Sequence, residues 1–185
     1  VILDCMGAMI AGRSEPEVAA VTQRLRKAGK LRRTGSPLMD AFLGGTAGTM
    51  LEIDEGNQYA RGHPGIHVVP AVLAAAKLRK VSGKDAILAA ALGYEIGARI
   101  GIASKLNVTM HPHGTWGVVG AALAIARLNR AKAEEIATTI NIASSLGLTT
   151  SRRTMLEGAT VRNSYAGFSN MLGMMAWEMT KAGFT

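Results

Sequence analysis

Aromatic side chains are scarce: Phe, Trp and Tyr together make up 4% of the 185 residues. That is too few for the stacked platforms with which proteins hold single-stranded nucleic acid. Cysteine is scarcer still. A single Cys5 cannot close an internal disulfide, and one lone thiol fits a reducing compartment. Charged residues reach only 18%, below the roughly 25% of ordinary domains. With 48% hydrophobic residues, the chain is not of the disordered, solvating kind. Long apolar runs are missing as well. The stretch from Trp116 to Ala126 is stopped by Arg127, and that from Ala86 to Ala103 carries Glu95 and Arg99. Neither reads as a bilayer span, which needs ~18 apolar residues. The opening Val1-Ile2-Leu3-Asp4 lacks the basic segment of a secretory leader. These absences point to a soluble, cytoplasmic protein.

Glycine and positive charge are plentiful instead. There are 22 glycines, about 12% of the chain against about 7% on average, with no Gly-x-y period. The length suits one domain, able to bury roughly 70% of its unfolded surface without a disulfide or metal. Net charge is +8, densest over Arg24, Arg26, Lys27, Lys30, Arg32 and Arg33. No aromatic residue interleaves those charges, so the run favours a solvated helix end over nucleic acid. An anionic substrate or an acidic partner domain would also suit the excess charge.

Apolar periodicity is helical nearly throughout. Helices are expected at Val1–Ala11, from the Ser14-Glu15-Pro16-Glu17 capping box to Arg26, and from Ser36-Pro37 over Leu38–Met50. Further helices are expected at about Val69–Lys80, Asp85–Ser104, Gly114–Leu128, Lys132–Leu146 and Ser164–Lys181. Two stretches lose the pattern, Glu52–His67 and Thr149–Asn163. No run alternates with period two. Gly93, Gly97 and Gly101 fall four apart, leaving one bare stripe for a neighbouring helix to approach. An all-α domain of about eight closely packed helices follows.

The polar chemistry is concentrated. All four histidines lie in two strings, His63-Pro64-Gly65-Ile66-His67 and His111-Pro112-His113-Gly114, each feeding into an apolar helix. Imidazole exchanges protons near neutral pH, and a helix entry offers unpaired N–H groups to an anion. Gly114 and Gly117 are positions where a ligand could come close to the backbone. Asp54 could orient a histidine, and Arg61 could hold a carboxylate as a fork. Arg152, Arg153, Glu157 and Arg162 lie in the second irregular stretch, where basic residues suit anions. Glu95 and Arg99, four apart, are expected to pair with one another. Neither histidine string follows a zinc spacing, and Pro64 and Gly65 break the helical alignment of His63 with His67, so no metal site is expected.

Several strings, in order, resemble the MmgE/PrpD family: Gly44-Gly45-Thr46-Ala47-Gly48-Thr49 through Leu51-Glu52-Ile53-Asp54-Glu55-Gly56, and Gly62-His63-Pro64-Gly65 with Val69-Pro70-Ala71. Gly93-Tyr94-Glu95-Ile96 with Arg99, and His111-Pro112-His113-Gly114-Thr115-Trp116-Gly117, continue the likeness. The resemblance implies a large all-α domain followed by a smaller α+β lid, in homodimers without metal or organic cofactor. The family includes 2-methylcitrate dehydratase, cis-aconitate decarboxylase and iminodisuccinate epimerase. Residues 1–185 would then be part of the helical domain of a longer chain, without its lid, and inactive alone.

By that resemblance Asp54 and His63 belong to the first active-site loop and His111 to the second. Two departures stand out. His113 replaces the Thr or Ser that follows His-Pro in many members, and Arg162-Asn163-Ser164-Tyr165-Ala166-Gly167 stands where they carry Lys-x-x-His-x-Gly. Arginine stays charged and is a poor proton carrier. Proton transfer is therefore expected of His63, His111 or Tyr165, supported by Asp54, with Arg61, His113 and Arg162 binding substrate. The implied activity is a cofactor-independent hydro-lyase acting on a small polycarboxylate. Epimerase or decarboxylase chemistry, or a non-catalytic basic helical module, are the alternatives.

Overall fold

The computed structural model describes residues 1–28 and 36–185. Lys30, Arg32 and Arg33 of the basic run therefore lie outside the described residues. Among those described there are nine α-helices and one 3-10 turn, and no strand. The helices are α1 (Ile2–Gly12), α2 (Pro16–Ala28), α3 (Pro37–Thr49), α4 (Val69–Leu78), α5 (Gly83–Ala103), α6 (Gly117–Leu128), α7 (Ala133–Ser145), α8 (Arg152–Leu156) and α9 (Ser164–Lys181), with the 3-10 turn at Thr160–Asn163. The all-α expectation holds.

Start signals act close to where the residues suggest. Pro37 opens α3 after an extended Ser36, and Ser82 accepts the Asp85 N–H at 3.1 Å to cap α5. The start of α2 is one residue later than the Ser14 capping box implies, since Ala19 N–H bonds the Glu15 carbonyl. The stretch over Thr149–Asn163, expected to be irregular, contains α8 and the 3-10 turn. Ser151 caps α8, and Gly158 at φ +71° separates it from that turn. Elements this short carry no readable period.

Helix α6 runs through the middle, with α5, α7 and α9 packed against it, while α3 lies along the far side of α9. More than half of the buried apolar residues among those described are alanines. Small residues at the contacts let helix backbones come close enough for carbonyl groups to fill the gap. A Cβ on Gly93 would sit 2.6 Å from the Gly120 carbonyl oxygen, and one on Gly120 would sit 2.8 Å from that of Gly93. Gly97 and Gly101 face Trp116 on the same side, so the glycine stripe of α5 is its contact with α6. Gly45 meets the Ala166 carbonyl in the same way, which keeps α3 helical despite its three glycines.

Helix α5, at 21 residues, is long and apolar enough by length and composition to cross a membrane, contrary to the sequence expectation. Its glycine face is spent on α6, and its exposed face carries the expected Glu95–Arg99 pair at 2.6 Å. Gly120→Val forces a branched side chain into the α5–α6 contact. It is expected to cost about 1–3 kcal/mol and lower Tm by several degrees in a thermal melt, whereas Gly83→Ala, at an open position, leaves Tm nearly unchanged.

Candidate active site

Two loops and the turn before α9 converge beside the entry to α6. The first loop leaves α3 and folds back on itself. Asn57 and Gly62 exchange backbone hydrogen bonds at 2.8 and 3.3 Å, while Asn57 Oδ1 accepts the N–H groups of Tyr59 and Ala60 at 3.0 Å. That turn returns Arg61, Gly62 and His63 alongside Asp54. Gly62 has no room for a Cβ, because Trp116 Cζ2 would lie 2.8 Å from it. Glu55 accepts the Gly65 N–H and fixes the bend into α4. Asn170, fully buried on α9, accepts the Ala71 N–H at 2.9 Å and donates to the Ile66 and Ala166 carbonyls at 2.8 Å. This clamp sets the height of the first loop against α9.

The second loop is tied to the chain before α8. His111 N–H bonds the Thr150 carbonyl at 2.8 Å, and Thr150 Oγ1 donates to the His111 carbonyl at 2.9 Å. Gly114 takes φ +86°, and a Cβ there would lie 2.6 Å from Thr150 Cγ2. A Cβ on Gly117 would collide with the His67 ring. Both glycines therefore make room for protein side chains, and the expectation that they admit a ligand to the backbone is corrected.

The histidines come together around one of their number. The His113 ring lies 4.9 Å from that of His63, 4.8 Å from His67 and 4.7 Å from His111, each edge to face. His113 and His67 are almost wholly buried, and among the described residues no ring nitrogen of either has a hydrogen-bond partner. His111 Nδ1 accepts the His113 N–H at 3.0 Å, so its proton sits on Nε2, which lies 3.2 Å from Met155 Sδ. His63 Nδ1 lies 3.0 Å from Asp54 Oδ2, close enough to pair although off the line of a straight hydrogen bond.

A cavity of about 550 Å³ opens at this cluster. His63, His111, His113, Arg61, Arg152 and Arg162 all line it. Tyr165 stands behind His111, with ring centroids 5.9 Å apart, and is not part of the cavity wall. Arg162 is buried, and its guanidinium is held two-fold by Glu52. Sequence reasoning gave Glu52, Asn170 and Thr150 no role. Apart from the bond of Asn170 to Ala166 within α9, their partners lie 37 to 111 residues away, so no local spacing announces them.

Electrostatics divides the four rings. Asp54 beside it pushes His63 above its ordinary value and outweighs partial burial. Burial acts the other way on the rest: His111 falls to about 4 and His67 to about 3, with His113 also held well below its usual range. Nearby Arg162 adds to the depression of His111 and His113. At neutral pH one imidazole can carry charge and three are neutral.

An all-helical domain that brings an imidazole–carboxylate pair together with arginines around an open cavity holds the groups that proton chemistry on an anion uses. The model of the MmgE/PrpD N-terminal domain matches residues 1–185, and the chain belongs to that family. No curated protein matches the chain.

The three depressed histidines must take up protons when the chain unfolds below about pH 6.5, so their contribution is complete above that pH and is lost as pH falls from 6.5 toward 4. Each can add a slope of about 1.4 kcal/mol per pH unit. His63, raised, contributes below pH 6.5, and its share is lost as pH rises through its folded value. Urea midpoints are expected to fall steeply between pH 6.5 and 4. His67→Leu, which removes one such group, should flatten that fall; identical slopes for the two proteins would contradict the assignment.

Proposed function

We propose that the intact protein is a cofactor-independent, dehydratase-type lyase acting on a small polycarboxylate, and that His63 moves the proton. The observation that carries this reading is the Asp54–His63 pair at the edge of a cavity that arginines line. With Nδ1 turned to Asp54, Nε2 of His63 is the nitrogen left to exchange a proton with substrate. Asp54 fixes the tautomer and stabilises the imidazolium once it forms, as a buried carboxylate does beside a histidine base. Arg61 and Arg152 hold carboxylates at the cavity wall, since guanidinium groups match carboxylate geometry.

The reaction begins with neutral His63 Nε2 taking a proton from the carbon beside a carboxylate. Its electron pair spreads onto that carboxylate, where the guanidinium groups and the Nε2–H of neutral His111 oppose the new charge. The pair then forms the carbon–carbon double bond as the neighbouring carbon–oxygen bond breaks. The departing hydroxyl takes the proton back from His63 and leaves as water, restoring the imidazole. His111 cannot share the base role in this arrangement, because its unprotonated Nδ1 is occupied by the His113 N–H. Arg162 suits charge stabilisation and not proton transfer. A homodimer in the cytoplasm fits the reading, and α5 offers Ile87, Leu88 and Ile102 as exposed apolar side chains for a second copy.

His63→Asn and Asp54→Asn are each expected to lower kcat by about 10²–10⁴ in the intact protein with its polycarboxylate substrate. Because the base must be neutral, activity should rise with pH through the raised value of His63. In Asp54→Asn that limb should move to lower pH. In deuterated water, a lyase releases an alkene acid, whereas exchange of the carbon-bound hydrogen with no alkene would identify epimerase chemistry and overturn the elimination.

A further inference from the structure

Glu52 sits where α3 gives way to the first loop, at φ +55°, a conformation that costs a non-glycine residue about 1–3 kcal/mol. Its carboxylate meets Arg162 two-fold, with Oε2 2.5 Å from Nη2 and Oε1 on Nη1. The partners are unequally placed. The Arg162 side chain is 8% exposed and forms part of the wall, whereas that of Glu52 is 53% exposed. Both line the same cavity as His63 and His111. The seam between α3 and the 3-10 turn does not need this pair. Thr49 Oγ1 donates to the Asn163 carbonyl at 2.7 Å, and Asn163 Nδ2 donates to the Thr49 carbonyl. Glu52 can therefore swing outward without releasing Arg162 from its place.

A carboxylate held two-fold on a guanidinium is also the arrangement a substrate carboxylate would adopt. We infer that Glu52 is a built-in competitor, occupying on Arg162 the position of a substrate carboxylate until the substrate displaces it. This rests on the polycarboxylate reading of the cavity. A buried arginine without a counter-charge is costly, so Glu52 keeps the unliganded cavity stable. It also sets a threshold for entry. An acid with a single carboxylate must evict Glu52 with nothing left over. One with two or three gains Arg61 and Arg152 as well, so the contact selects for polycarboxylates.

Glu52→Gln keeps the shape and weakens the hold, and Glu52→Asp shortens the reach. Calorimetric titration of the intact protein with citrate and with propionate separates the possibilities. Citrate is expected to bind Glu52→Gln about tenfold more tightly than wild type, as for the loss of one charge-assisted hydrogen bond, with Glu52→Asp between them. The preference for citrate over propionate should narrow. Equal or weaker citrate binding by both folded variants, with wild type binding measurably, would make Glu52 a strut and overturn the inference alone. If wild type and both folded variants bind neither acid, the polycarboxylate reading fails, and the inference with it.

Discussion

An imidazole enclosed by three others, with an arginine nearby, can be accommodated in a protein interior only without charge. His113 is in that position, and the rest of the cavity is arranged around its neutrality. Its backbone N–H takes the Nδ1 of His111, which fixes the tautomer of that ring. Its ring faces His63, the one histidine with a carboxylate beside it. Positive charge in the cluster therefore settles on the ring that Asp54 supports, at the edge that substrate would reach. Were His113 to ionise, it would repel a charged His63 at a centroid distance of 4.9 Å, and Arg162 as well. The division of labour among four chemically identical groups is thus a consequence of burial and one carboxylate.

The scaffold makes that burial possible. Alanine and glycine contacts bring α5, α6 and α9 close, so the entry to α6 is walled in by backbone and Trp116 with little space left over. The missing Cβ of Gly117 leaves room for the His67 ring, against which His113 packs edge to face at 4.8 Å. Asn170 and Thr150 then pin the two loops to α9 and to the chain before α8. A close-packed helical core fixes two irregular loops, and the loops carry the polar groups.

Much of this was legible in the residues. Confinement of all four histidines to two short strings marked the convergence of the loops. The fourfold spacing of Gly93, Gly97 and Gly101 marked the α5–α6 contact. What could not be read was which neighbour fills a given space. Gly114 and Gly117 look the same whether a ligand or a protein side chain approaches them, and here Thr150 and His67 do. Arg162 looks like an anchor open to substrate, and only the folded chain brings Glu52 to it across 110 residues. Helix α8 was hidden because five residues are too few to show a period. Local pattern carried the elements and the loop chemistry, while pairings distant in sequence required the fold.

The neutrality of the buried rings is open to direct observation. Nuclear magnetic resonance titration of the histidine side chains in the intact protein, labelled with ¹⁵N and ¹³C, reports the charge and tautomer of each. One ring, His63, should titrate above its ordinary value near 6.5, with His67, His111 and His113 still neutral at pH 5 and His111 protonated on Nε2. Titration of His113 or His67 near 6.5, or of His63 below it, would contradict the account.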